Sequence, residues 1–156
     1  MASFSKDIDV ENIYKDLGKS EGKKEKLFET MKDVYMLAFL LGFKNNQKIK
    51  LNKKSQDSIK EETFGPENKI IMDFIALYLK KDINILKKDD KSEDFIHEIV
   101  EEYANGGIRI ISELLGKDYN NLDNLINVIK EFEEKSEEPK KIDIADLLFE
   151  INEDLK

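Results

Sequence analysis

The stretch EEYANGGIRII, residues 101–111, decides how the chain is expected to fold. It belongs to a longer segment in which apolar residues recur every three or four positions, the spacing of one face of an α-helix. Gly106 and Gly107 interrupt this pattern, although each glycine costs about 1 kcal/mol relative to alanine inside a helix. Three explanations stay open: another helix or chain packs against the bare backbone, the helix bends, or one helix ends there and another begins.

Apolar periodicity elsewhere in the chain predicts further helices and almost no sheet. Five helical segments are expected, at about 9–17, 31–41, 66–81, 93–115 and 120–134, together with a short helical turn after Asp82 that holds Ile83 and Leu86. Capping residues are predicted at helix starts and glycines at helix ends: Thr30, Asp82 and Ser92 as caps, and Gly18, Gly42 and Gly116 as stops. Ile49 alternates with Leu51, which predicts at most one short extended segment near 48–51.

The predicted fold class is all-α, with a single compact domain of five to six helices over residues 1–134. A polar linker at 135–141 contains Pro139 and separates this domain from a C-terminal amphipathic helix at 142–156. A helix of this length is not stable alone in water, so its apolar side must be covered. It packs either on the domain or on a second subunit, and the second option would make a homodimer.

Composition excludes several classes of site and location. With no cysteine and one histidine, the chain has no disulfide, no thiolate zinc site and no thiol nucleophile. We predict no metal and no cofactor. The N-terminus lacks an apolar signal core, and no uncharged apolar run is long enough to span a bilayer. The sequence is therefore interpreted as that of a cytoplasmic protein without a membrane segment.

A basic segment stands out in a chain whose formal net charge is −8. All of the 26 basic residues except Arg109 are lysines. Five of them fall within residues 44–54, with no acidic residue among them: Lys44, Lys48, Lys50, Lys53 and Lys54. They either contact a phosphate backbone or form an ordinary solvated loop. The segment contains no aromatic residue, which argues against stacking on single-stranded nucleic acid.

The glycine pair supplies the second candidate site, because polar residues surround it. Tyr103, Asn105 and Arg109 lie beside Gly106 and Gly107, and Asn105 and Arg109 share one helical face. These five residues are predicted either to pack inside the chain or to receive the backbone of a partner.

The single histidine and the acidic residues are the remaining candidates for chemistry. His97 lies four residues from both Glu93 and Glu101, so it forms either ordinary helix-surface pairs or a metal pair with Glu101. No nuclease-like arrangement, phosphate loop or nucleophile motif is present, so we predict no catalytic residue.

Three stretches together resemble a known family: FETMKDVYMLAFLLGFKNNQKIKL at 28–51, FIALYLKKDINIL at 74–86, and EEYANGGIRII at 101–111. The resemblance is to the Dnd-system-associated protein 4 family, small proteins encoded beside bacterial DNA phosphorothioation genes and their linked restriction genes. It spans residues 28–130, and EEYANGG is its most specific part. The chain departs from the family at Lys48 and Lys50, where arginine is usual.

The resemblance implies a setting, namely sulfur-modified DNA and antiphage restriction, and it implies no reaction. The hypothesis we adopt is a non-catalytic accessory protein that docks on larger protein components of such a system through residues 101–111. The alternative is a DNA-binding adaptor that uses residues 44–54. A third interpretation is a small nuclease whose acidic residues converge only in three dimensions.

Overall fold

Five α-helices form most of the chain over the residues that the structure, a computed structural model, describes: 2–18, 28–116 and 122–135. They are α1 (Glu11–Gly18), α2 (Met31–Lys44), α3 (Pro66–Lys80), α4 (Asp90–Leu115) and α5 (Leu122–Lys135). One small antiparallel sheet pairs β1 (Ser3–Phe4) with β2 (Ile59–Lys60). The predicted all-α class is confirmed.

Helices α2 and α4 form the centre of the molecule and pack against each other along their length. α2 is apolar on nearly all sides, and the side chains of Val34, Tyr35, Ala38 and Phe39 are fully buried. α1 packs on α2, while α3 and α5 pack on α4. Because α2 is covered on most sides by other elements, it needs no polar face along most of its length.

Local capping chemistry explains where several helices begin. Thr30 and Asp33 form the predicted capping box, with the Asp33 N–H donating to Thr30 Oγ1 at 3.2 Å and the Thr30 hydroxyl donating to Asp33 Oδ2 at 2.7 Å. Asp82 caps a short 3-10 turn over Ile83–Lys87, also as predicted. The predicted cap of α4 was wrong. Asp89, not Ser92, is the cap, because its carboxylate accepts the Ser92 N–H at 2.9 Å.

One prediction about the region after α2 also needs correction. Gly42 does not end α2, which continues to Lys44. The predicted extended segment at 48–51 is not a strand, and the sheet forms elsewhere, between β1 and β2. Residues 48–51 are instead fastened to a helix, where the Ile49 N–H donates to the Glu102 carbonyl at 3.1 Å.

The segment before α1 is an integral part of the fold, which the sequence did not indicate. Phe4 is buried, and the Lys6 side chain is completely enclosed. The Lys6 ammonium lies 3.2 Å from Asp57 Oδ2, 2.9 Å from the sulfur of Met31 and 5.6 Å from the ring centroid of Tyr14. A buried charge requires such compensation, since an unpaired ammonium would be costly inside a protein.

The predicted C-terminal arrangement lies mostly beyond α5. The linker at 135–141, apart from the backbone of Lys135, and the helix at 142–156 are outside the described residues. Within the described ranges, no helix combines the length and the apolar character needed to cross a membrane.

Candidate functional site

The glycine pair lies where α4 meets α2 most closely. A Cβ atom added to Gly107 would collide with the carbonyl group of Ala38 and would lie 2.9 Å from the Ala38 Cα. On the other helix, a Cβ on Gly42 would collide with the carbonyl oxygen of Tyr103. Helix α4 is continuous through residues 106 and 107. The bare backbone is therefore used for close packing inside the chain, and it does not separate two helices.

Gly106 faces a different neighbour, the turn that follows α2. A Cβ atom at this position would collide with the carbonyl oxygen of Gln47. The Gln47 N–H in turn donates to the Gly42 carbonyl at 2.8 Å. The two adjacent glycines thus seat two different pieces of chain on α4, the helix α2 and the start of the basic segment. We call residues 44–54 the lysine segment.

Asn105 holds the middle of the lysine segment. Its side-chain amide donates to the carbonyl oxygens of Ile49 at 3.2 Å and Lys50 at 3.3 Å. Asn105 itself is buried, so these carbonyls would otherwise lack a donor in a place that water reaches poorly. An amide is suited to this position because it offers two N–H donors and one acceptor.

Asp7 completes this polar cluster from the N-terminal segment. Its buried carboxylate accepts the Asn52 N–H at 2.9 Å and lies 3.5 Å from Nη2 of Arg109. Burial alone would raise the pKa of Asp7. The backbone N–H groups of Asn52, Asp9 and Lys53, together with the charge of Arg109, outweigh burial and lower the pKa below its usual value. The carboxylate is therefore held ionised as a structural acceptor.

Two adjacent glutamates of α4 bind lysines in the middle and at the C-terminal end of the lysine segment. Glu102 lies 3.2 Å from the Lys48 ammonium, and Glu101 lies 3.2 Å from that of Lys54. Glu101 also accepts the Ser5 N–H at 2.7 Å. Both glutamates are buried while both lysines remain exposed. The two predicted sites, 44–54 and 101–109, therefore form one structural unit.

The five predicted lysines differ in what their charges do. Lys48 and Lys54 are paired with the glutamates of α4. Lys50 and Lys53 contribute backbone carbonyls to the fold, through Asn105 and the Ile8 N–H respectively, and their side chains are exposed. Lys44 is exposed at the end of α2. The segment thus presents lysine side chains on a backbone that is fixed at several points.

An open groove of about 610 Å³ runs between the lysine segment and α4. Lys50 and Lys54 line one wall, and Ser3 and Ser5 contribute from the N-terminal segment. The α4 wall carries four carboxylates and the histidine: Asp94, His97, Glu98, Glu101 and Glu102. The groove therefore has mixed charge, and a polyanion lying in it would meet more negative than positive groups.

The predicted interaction residues are mostly enclosed by the chain itself. Tyr103, Asn105, Gly106 and Gly107 are buried, and the Tyr103 ring contacts Phe43 edge to face at 5.7 Å. Of the five, only Arg109 has a partly exposed side chain, at 36%. Their use in docking stays a prediction, in which Arg109 would touch the partner directly and the other four would support the surface.

His97 has partners that were not predicted. Its ring stacks on Phe4 at 4.3 Å, and its Nε2 lies 3.3 Å from Glu61 Oε2. Neither Glu93 nor Glu101 is its partner in the part of the chain that the structure describes. The residues that the structure describes contain no group of three or more side chains that could hold a metal ion.

Sequence reasoning missed Asp7 and the structural role of Glu101 and Glu102. A usable signal was present, since Glu101, Asn105 and Arg109 follow one another at spacings of four and so form a polar stripe on a helix that is otherwise largely apolar there. Such a stripe indicates that a segment with polar groups packs on that face of the helix. It does not indicate which chain, and Asp7 lies 98 positions away from Asn105.

A comparison with protein families decides the setting of this unit. The family model described as DNA sulphur modification system-associated protein 4 matches residues 5–147. The chain belongs to this family. No curated protein and no solved structure shows significant similarity to the chain.

The DNA sulphur modification system-associated protein 4 family matches more of the chain than the resemblance at 28–130 did. Its span includes the whole polar cluster, because Asp7 falls within 5–147 together with the lysine segment and α4. It also extends beyond α5. Membership places the protein in a DNA sulphur modification (Dnd) system as an associated protein.

Proposed function

We propose that the protein is a non-catalytic accessory component of the DNA sulphur modification system and its linked restriction. It docks on a larger protein of that system through the lysine segment and Arg109. The observation that carries the proposal is that α4 holds this segment in one conformation. Asn105 and Glu102 bind the middle of the segment, and Glu101 binds Lys54 at its C-terminal end.

Such fixation supports a docking role on physical grounds. A loop that is already ordered loses less conformational entropy on binding, so more of the interaction energy appears as affinity. Functional contacts commonly sit on loops that a rigid scaffold positions. The polar side chains best suited to acid–base or ligand chemistry here all hold the lysine segment in place. They are Asp7, Asn105, Glu101 and Glu102. This engagement supports a structural role for them and not a catalytic one.

Charge favours a protein partner over DNA. Two of the five lysines have glutamate partners, and Asp94 and Glu98 line the same groove as Lys50 and Lys54. A DNA backbone entering this groove would be repelled by carboxylates, whereas a protein can offer donors and acids in a matching arrangement. DNA binding through the outer side of the segment is the second candidate function.

The test is affinity purification of the tagged protein from its native host, followed by mass spectrometry. The variant Lys50→Glu/Lys53→Glu changes two exposed side chains of the segment. Its matched control is Lys87→Glu/Lys130→Glu, the same charge change at exposed positions elsewhere. We expect the wild type and the control to recover the same proteins of the modification system, and the segment variant to lose them. Equal recovery by all three would contradict the proposal.

A parallel experiment addresses DNA. Electrophoretic shift assays with plain and phosphorothioated duplexes, at about 50 mM salt, should show no binding that depends on Lys50 and Lys53. Binding that weakens steeply with salt and is lost in the Lys50→Glu/Lys53→Glu variant would establish the DNA-binding adaptor instead.

A further inference from the structure

Helix α3 carries an apolar face that the described part of the chain leaves uncovered. Ile70, Phe74 and Tyr78 follow at spacings of four, and 63%, 45% and 48% of their respective surfaces are exposed. Ile71 beside them is 38% exposed. Large apolar side chains clustered on one helical face mark an interaction surface more often than chance exposure does.

The charges around this face are arranged symmetrically about Phe74. Glu67 lies seven residues before Phe74, and Lys81 lies seven residues after it. Ile70 and Tyr78 lie four residues before and after it. Spacings of four and seven return to the same side of a helix, so Glu67, Ile70, Phe74 and Tyr78 share one side of α3. Lys81 is the C-cap of α3 and has a left-handed backbone, but its N–H still donates to the Leu77 carbonyl, so it lies at the end of the same side. The face therefore has an acid at one end, a lysine at the other, and an aromatic ring at its midpoint.

Glu67 and Lys81 are both exposed, and neither forms an ion pair within residues 2–18, 28–116 and 122–135. Charges next to them are engaged differently. Asp73 pairs with Lys88 at 2.7 Å, and the Lys80 ammonium lies 4.9 Å from the ring centroid of Phe95. The two end charges are therefore available to a partner.

We propose that the partner is a second copy of this chain, bound through α3 in antiparallel orientation about a two-fold axis at Phe74. In that arrangement the two Phe74 rings meet at the axis, and Ile70 of each copy meets Tyr78 of the other. Glu67 of each copy faces Lys81 of the other, so both ion pairs form at once. A self-complementary face of this kind is what a two-fold interface requires.

The face continues onto α2, which widens the contact. Phe43 packs edge to face on Tyr78 with ring centroids 6.0 Å apart, and Leu40, one turn earlier on α2, is exposed. A contact based on one helix from each copy is still smaller than a standard interface of about 800 Å² per partner. We therefore expect a reversible dimer. It would display two lysine segments, since the segment shares no residue with the α3 face.

Sedimentation velocity and light scattering on the full chain test this arrangement, at concentrations up to about 100 µM because the contact is small. The wild type should reach twice the chain mass, and Phe74→Glu should stay a monomer with the same helical circular dichroism. Lys87→Glu serves as the control for an added acid and should still dimerise. A wild type that remains monomeric, or a dimer that Phe74→Glu leaves intact, would overturn the proposal.

Charge exchange identifies the orientation. Glu67→Lys and Lys81→Glu should each weaken the dimer by about tenfold, since each replaces two attractive pairs by two repulsive ones. Mixing the two single variants should restore association, because both pairs are then attractive in the mixed dimer. Failure of the mixture to associate would exclude the antiparallel arrangement.

Two other occupants of the face give different results. If residues 136–156 of the same chain cover it, Phe74→Glu lowers the melting temperature of a species that is monomeric throughout, and the proposal is wrong. If a protein of the modification system covers it, the isolated chain is monomeric and Phe74→Glu abolishes recovery of that protein, and the proposal is again wrong. Neither result bears on the lysine segment, whose variants are tested separately.

Discussion

Gly107 of α4 lies directly against the carbonyl of Ala38 on α2, with no room between them for a side chain. The contact joins two backbones and not two flexible side chains, so neither partner can move aside alone. The closeness of the two central helices therefore depends on the absence of side chains at two positions, Gly107 on α4 and Gly42 on α2.

Replacing Gly107 by alanine should destabilise the protein, although alanine favours helix by about 1 kcal/mol. The added methyl must push α2 and α4 apart, and overpacking costs about 1–3 kcal/mol. Because the methyl would overlap backbone atoms of Ala38, we expect a cost of about 3 kcal/mol and, after the helix gain of alanine, a net loss of about 2 kcal/mol. Urea unfolding followed by circular dichroism measures the change. Gly65→Ala is the control for the methyl group itself, because a Cβ there meets nothing within 4 Å. Gly65 is the N-cap of α3, so this change should cost about 1 kcal/mol or less. Equal stability of Gly107→Ala and wild type would refute the close-packing explanation.

The Asp7 carboxylate should make stability depend on pH in the acid range. Its pKa is lowered in the folded chain, so it stabilises the fold above its unfolded pKa of about 3.9, and this contribution disappears as pH falls through the lower folded value. Asp7→Asn should thus be clearly less stable than wild type at pH 7. At a pH below the folded pKa of Asp7, the two proteins should have nearly the same stability.

Thermal melts at a series of pH values from 7 into the acid range measure how the stability difference between wild type and Asp7→Asn shrinks. Asp9→Asn is the matched control, since Asp9 is exposed and its backbone N–H, which donates to Asp7, is unchanged. A stability difference between Asp7→Asn and wild type that stays constant with pH would show that the charge of Asp7 is not what matters.

Loss of the Asn105 amide should increase local opening of the lysine segment more than it increases unfolding of the whole protein. In Asn105→Ala the carbonyls of Ile49 and Lys50 lose their donor, at a cost of about 1–3 kcal/mol for buried groups. Hydrogen exchange should accelerate at the amides of Ile49 and Asn52 more than in the core of α2. Asn124→Ala, which removes an exposed bond to the Leu114 carbonyl, should leave these amides unchanged.

The two glutamates of α4 should differ in importance. Glu101→Ala removes the acceptor of the Ser5 N–H as well as the partner of Lys54, whereas Glu102→Ala removes an ion pair with the exposed lysine Lys48. We expect about 1–3 kcal/mol of destabilisation for the first and less than about 1 kcal/mol for the second. Chemical denaturation compares them directly. A larger effect for Glu102→Ala would mean that the N-terminal segment is not anchored through Glu101.

The sequence predicted the helices because the signals for them are local. Apolar spacing and the Thr30 capping box act over a few residues, so they can be recognised without a partner. Gly42 was misread for the same reason, since a glycine after an apolar run resembles a helix stop. Only the position of Tyr103 on another helix explains why residue 42 is a glycine inside α2.

The candidate site was predicted in two halves that the structure joins. The lysines of 44–54 and the polar residues of 101–109 were each recognisable by composition, but their pairing, Lys48 with Glu102 and Lys54 with Glu101, was not. Surface lysines next to glutamates occur throughout this highly charged chain. No local feature of the sequence distinguishes the two pairs that form.

The anchoring of Ser5 by Glu101 has a consequence for biosynthesis. The two residues are 96 positions apart, so the N-terminal segment is translated long before the helix that secures it. Until α4 emerges, Phe4 lacks the ring of His97 on which it packs. Contacts between residues so far apart in sequence slow folding, and apolar side chains stay exposed until these contacts form. In the nascent protein, the N-terminal segment can therefore reach its folded position only after residues 97–101 of α4 have been synthesised.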